Sequence, residues 1–70
     1  MYNKMYSKAN YLSWNEVPAL MTIEEAGLLL GLSIESVRRY CLTQDIPAVQ
    51  IGKLWRIDKQ LLMKKFGYLE

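Results

Sequence analysis

Gly31 and Leu32 are all that separates two helix signals, and a connection that short dictates how the flanking helices can meet. Upstream, Thr22 and Glu25 form T-x-x-E, in which hydroxyl and carboxylate each satisfy a free amide at a helix start. The helix expected from Ile23 to Leu30 turns Ala26, Leu29 and Leu30 inward, and Gly31 supplies the left-handed residue that ends it. Downstream, Ser33 is the N-cap of a helix running from Ile34 to about Gln44. Ile34, Val37, Tyr40 and Cys41 share its apolar side at the 3.6-residue period. Helices joined by so few residues must cross at a steep angle.

Pro47 bars any further helix. Ala48 to Ile51 and Leu54 to Ile57 then read as strands rich in β-branched residues, joined by Gly52-Lys53 in a type II′ turn. Asp58 caps a third helix whose Leu62 and Phe66, four apart, are expected to face the core, and Gly67 ends it. Before the first helix, Trp14, Val17 and Leu20 recur about every three residues around Pro18, as in an arm or short helical turn packed on the core. Met1 to Asn10 is polar, contains Tyr2 and Tyr6, shows no consistent period, and reads as a flexible tail or expression remnant. The expected organisation is tail and arm over residues 1–20 and one folded domain over 21–67.

Composition narrows the chemistry. A chain of 70 residues is one domain, burying only about 60% of its unfolded surface. Cys41, the single cysteine, has no partner for an internal disulfide and falls on an apolar helical side, which predicts a buried thiol. No secretory signal is visible, and the longest apolar stretch, Val17 to Met21, is far too short to span a bilayer. A soluble, cytoplasmic protein is expected. With no histidine the chain lacks the commonest general base and zinc ligand, and one cysteine among scattered carboxylates does not make a metal site. Ser33 and Ser36 have no base near them in sequence, and no glycine-rich phosphate loop is present. These features point away from an enzyme, a metal, a cofactor or a small-molecule ligand.

Charge is distributed unevenly. Ala9 to Glu35 holds four acids and no base, for −4; Ser36 to Phe66 holds seven bases and two acids, for +5. A domain with one acidic and one basic half has a polarised surface that suits a phosphate backbone. The order helix, short turn, helix, hairpin would set one helix and one loop against duplex DNA. On the outward side of the second helix, Arg38 and Arg39 can read guanine edges or clamp phosphates, although Glu35 can pair with Arg39 at i,i+4. Ser33 and Ser36 can hold a phosphate with free backbone amides, with Ser33 as a plain cap the simpler reading. Lys53 at the hairpin tip can reach the DNA backbone, and Arg56 points with or away from Trp55 depending on register. Trp55 is expected to anchor the hairpin, and Lys59, Lys64 and Lys65 to form the wet side of the third helix.

The runs TIEEAGLLLGLS, SVRRY and DIPAVQIGKLWRID together resemble the excisionase-type small DNA-binding domains with a MerR-like fold. That family's pattern is T-x-E-E-A, L-L-G-x-S across the turn, and I-G-x-x-W-R-I in the strands, and the likeness covers Met21 to Phe66. It implies an α+β winged helix-turn-helix: three helices with a two-stranded β-hairpin wing. It also implies double-stranded DNA as partner, and a role as a recombination directionality factor, a phage or mobile-element regulator, or part of a terminase small subunit. An integrase would be a further partner. By position, Ser33 caps the recognition helix, Ser36, Arg38 and Arg39 lie where the family places DNA contacts, and Gly52 and Lys53 form the wing with Arg56 beside it.

The chain departs from the family at four positions. Gln44 stands near a usual glycine, Leu42 replaces a polar or basic residue, Glu35 puts an acid on the phosphate face, and Leu28 replaces a typically charged residue. Leu28 and Leu42 could belong to a self-association surface. A single module of this kind covers about 600–1,000 Å² of DNA, so cooperative or oligomeric binding is expected. The competing function is a protein-interaction module that keeps the scaffold and has lost DNA.

Overall fold

A computed structural model describes residues 12–68. A 3-10 turn at Trp14–Glu16 leads into β1 (Leu20–Met21), α1 (Ile23–Leu30), α2 (Ile34–Leu42), β2 (Ala48–Ile51), β3 (Leu54–Asp58) and α3 (Lys59–Lys65).

The capping chemistry forms as the residues predict. Thr22 Oγ1 accepts from the Glu25 amide at 3.0 Å while the Thr22 amide donates to Glu25 Oε1 at 2.9 Å. At the far end of α1, Gly31 is left-handed (φ 72), and the amides of Gly31 and Leu32 both donate to Gly27 O, at 2.8 and 3.0 Å. That fold-back brings Leu32 O so close to Gly27 that a Cβ there would sit 2.8 Å from it. Gly27 is therefore a requirement of the turn, which its place inside a helical pattern does not announce.

α2 stops at Leu42, two residues earlier than the period suggests. Gln44 takes the left-handed conformation (φ 64), alone among the described non-glycine residues, and so cannot continue the helix. Its side-chain amide donates to Cys41 O at 2.9 Å and to Ala48 O at 3.0 Å, tying the end of α2 to the start of β2.

The sheet has three strands, in the order β1-β3-β2 and antiparallel throughout, where the sequence led us to expect a two-stranded hairpin. Leu20 and Met21 pair with Asp58 and Ile57, so the hairpin's second strand becomes the centre of the sheet. Two residues show no period, so β1 can be seen only from its partner. The arm is fixed further by Leu12 N donating to Leu28 O (3.3 Å), Lys59 N to Ala19 O (2.9 Å) and Lys59 Nζ to Val17 O (3.2 Å). Lys59 is thus engaged by the arm instead of lying on a wet helix side. The tail expected over residues 1–10 lies outside the described residues.

The core gathers Met21 and Ile57 from the sheet, Ala26 from α1, Val37 and Cys41 from α2, and Leu62 from α3, each fully or almost fully buried. Burial pushes the pKa of the Cys41 thiol up, as desolvation of a thiolate requires. Two expected core residues are exposed. Ile34 is the first residue of α2 and lies one turn short of the core, which starts at Val37. Phe66 follows the last turn of α3 and instead stacks on Tyr68 (6.1 Å) with its ring near the Trp14 edge (6.0 Å). Leu29 and Leu30 are only partly buried.

The pleat divides the sheet residues between its two faces. Met21, Trp55 and Ile57 turn toward the helices. Leu20, Val49, Ile51 and Leu54 are on the opposite face, each more than half exposed. Arg56 and Asp58 share this face with the four aliphatic side chains.

Candidate nucleic-acid interface

α2 projects the side opposite Val37 and Cys41 into solvent, and Arg38, Arg39 and Leu42 are exposed there. Its N-terminus is closed by its own serines. Ser33 Oγ accepts from the Ser36 amide (3.1 Å) and donates to Ser36 Oγ (3.0 Å), so both hydroxyls serve the cap. Arg39 carries its guanidinium over the Tyr40 ring, 5.4 Å from the centroid, rather than toward Glu35 as the i,i+4 spacing suggested. Stacked there, it is held along the helix surface.

The hairpin presents the second element. Gly52 has φ 63 and Lys53 does not share that region, which agrees with a type II′ turn and excludes type I′. Register places Arg56 opposite Val49, on the face away from Ile57. Its guanidinium folds back to donate to Trp55 O at 2.9 Å, and Arg56 is partly buried. Trp55 packs against the core and so anchors the hairpin.

These pieces converge on one cleft of about 220 Å³, lined by Arg38 from α2, Lys53 through Arg56 from the hairpin, and Thr22 to Glu24 from the start of α1. Three cations from two elements that are 15 to 18 residues apart therefore share one concavity, where their fields add. Glu24 is the one acid lining it. Of the residues singled out from the sequence, Arg38, Lys53 and Arg56 meet here, whereas Ser33, Ser36 and Arg39 do not line the cleft. Sequence reasoning missed Thr22, Glu24 and Leu54 as part of this site. The T-x-x-E pattern marked the start of α1, but nothing local says that this helix end abuts the wing.

A second groove of about 460 Å³ lies along the connection between α1 and α2. It is lined by Glu24, Gly27, Leu28, Leu32, Ser33 and Ile34 among others, so the first turn of α2 forms one of its walls. Leu28 and Ile34 are 41% and 44% exposed, which makes this groove apolar where the cleft is basic.

Among the described residues, no group of three or more His, Cys, Asp or Glu side chains is placed to hold a metal ion, and no helix is long and apolar enough to cross a membrane.

A family model described as a helix-turn-helix domain matches residues 20–64, a span that runs from β1 into the last turn of α3. No curated protein and no solved structure matches the chain.

Proposed function

The chain belongs to the helix-turn-helix domain family, whose small modules bind DNA, and from that premise we propose how this one does so. α2 enters the major groove with Arg38 toward base edges or phosphates, and the Gly52-Lys53 wing lies on the neighbouring backbone with Arg56 behind it. The observation that carries this reading is the convergence of Arg38, Lys53 and Arg56 on one cleft between reading helix and wing. Ser33 and Ser36 shape the start of the reading helix, and Arg39, stacked on Tyr40, contributes charge from its flank. The protein acts by binding alone, in the cytoplasm, without catalysis or cofactor. Its finer role is that of an excisionase-like recombination directionality factor, with an integrase as partner, or of a small phage or mobile-element regulator.

One helix and one wing make a small footprint, so copies cooperate on repeated sites. Leu20, Val49 and Ile51 on the exposed sheet face, outside the cleft, are better suited to that contact than Leu28 and Leu42, which lie on separate helices.

The test is fluorescence anisotropy with a random-sequence duplex of about 25 base pairs, titrated at several salt concentrations. Binding that falls steeply as salt rises is expected, because phosphate contacts release counterions. Against the specific site, once selected, Arg38→Ala should weaken binding by about 1–3 kcal/mol. Unchanged affinity would remove α2 from the reading role. Glu35 on the reading face and the apolar groove at Leu28 and Ile34 favour the other reading, a protein-interaction module. Absence of binding at low salt would support it.

A further inference from the structure

Two neighbouring acids in the first turn of α1 serve different ends. Glu25 uses its carboxylate for the helix cap, accepting from the Thr22 amide at 2.9 Å. Glu24 is exposed and lines the cleft between α2 and the wing, where Arg38, Lys53 and Arg56 are the other charged residues. The cleft therefore carries +2, three cations less one acid. A sphere of its volume, about 220 Å³, is roughly 7.5 Å across, less than the Debye length of about 10 Å at 0.1 M salt. An anion seated there feels every one of these charges, Glu24 included.

What reaches the cleft follows from the docking proposed above. With α2 in the major groove and Gly52-Lys53 on the neighbouring backbone, the space between reading helix and wing faces the sugar–phosphate strand, not base edges. The Glu24 carboxylate accepts hydrogen bonds and donates none, and a backbone phosphate likewise offers only acceptors, so the two repel. An acid in the first turn of α1 does complement the helix dipole. Glu25 is already in that turn, however, and the dipole gives no reason for a second carboxylate to line a cleft of three cations.

We propose that Glu24 limits how tightly the cleft holds the DNA backbone, by opposing the phosphate that Arg38, Lys53 and Arg56 attract. The residue sets affinity and residence on any duplex and leaves the choice of site to α2. This rests on the DNA-binding function proposed above.

The test titrates the full chain and its Glu24→Gln variant against the 25-base-pair random duplex and against the selected site. Losing the acid adds up to one effective phosphate contact, so the slope of log K against log salt should steepen by up to about 0.9. The variant should therefore bind both duplexes tighter, with a gain up to about 3.5 times larger at 50 mM salt than at 200 mM. Asp45→Asn changes the charge equally but lies in the groove at Leu62 and Phe66 instead of the cleft, and should bind nearly as the parent does. A role confined to the helix start would show as a lower Tm for Glu24→Gln without tighter binding, and overturns the proposal. So does an equal gain from Asp45→Asn, which would make net charge the cause. Weaker binding of Glu24→Gln to the selected site alone also overturns it, since that marks a carboxylate accepting from a cytosine amino group. In each of these cases weaker binding by Lys53→Gln would leave the DNA-binding function standing. If the parent protein does not bind the random duplex even at low salt, that function itself falls, and the proposal with it.

Discussion

At the N-terminal side of α2 the chain reverses through Gly31 (φ 72), and at the C-terminal side it reverses through Gln44 (φ 64). The first turn uses residues that impose no steric cost: Gly31 for the left-handed step and Gly27 for the close approach of Leu32 O. At the second turn a side chain stands where glycine would be easy. A non-glycine residue in this region costs roughly 1–2 kcal/mol. Two side-chain hydrogen bonds from Gln44, each worth about 1 kcal/mol net, offset that cost. Similar dihedral angles thus arise in one case from a missing side chain and in the other from a side chain that has work to do. The tight turn tolerates no bulk, and the looser one depends on it.

The largest effect should come from Gly27→Ala. In an open helix this change gains close to 1 kcal/mol. Here the new methyl would lie 2.8 Å from a backbone carbonyl, so we expect a loss of about 2–3 kcal/mol, seen as a fall in Tm of 10 °C or more. A stabilised variant would mean that the α1–α2 turn is as adaptable as the other one.

Gln44 gives the next test. Gln44→Ala keeps the strained dihedral and loses both bonds, which should cost about 1–2 kcal/mol in chemical denaturation. Gln44→Gly loses the same bonds but relieves the strain, and should stay within about 0.5 kcal/mol of the parent. Equal losses in the two variants would remove the dihedral from the account. The smallest effect is Ser33→Ala, which deletes the cap of α2 and should cost about 1 kcal/mol. A neutral result would place the stability of this helix end in the turn alone.

The contrast also explains what was legible in the sequence. The ends of α1, the caps at Thr22, Ser33 and Asp58, and the Gly52-Lys53 turn rest on residues within four positions of one another, and all were readable. β1 was not, because two residues become a strand only by pairing with Ile57 and Asp58 across the chain. Phe66 has the right spacing from Leu62 to face the core, yet α3 ends before it and Trp14 offers an aromatic contact. Lys59 looked solvated because nothing local reveals the Val17 carbonyl beside it. The candidate site divides in the same way. Arg38, Lys53 and Arg56 could be chosen by residue type and position, but their sharing of one cleft with Thr22 and Glu24 is a product of packing.

The Gln44 amide has one more effect, on a neighbour rather than on its own turn. In a hairpin closed by two residues, Ile51 and Val49 direct their backbone groups toward β3, so Ala48 and Gln50 direct theirs outward along the open margin of the sheet. The Gln44 side chain occupies the Ala48 carbonyl on that margin. β2 is short, uncharged and rich in aliphatic residues, the kind of border that invites another chain to add itself as a strand. With its first acceptor already taken, the margin presents one acceptor fewer to an incoming strand. A residue that looks like a local departure in a turn thereby also reaches the open margin of the strand that follows it.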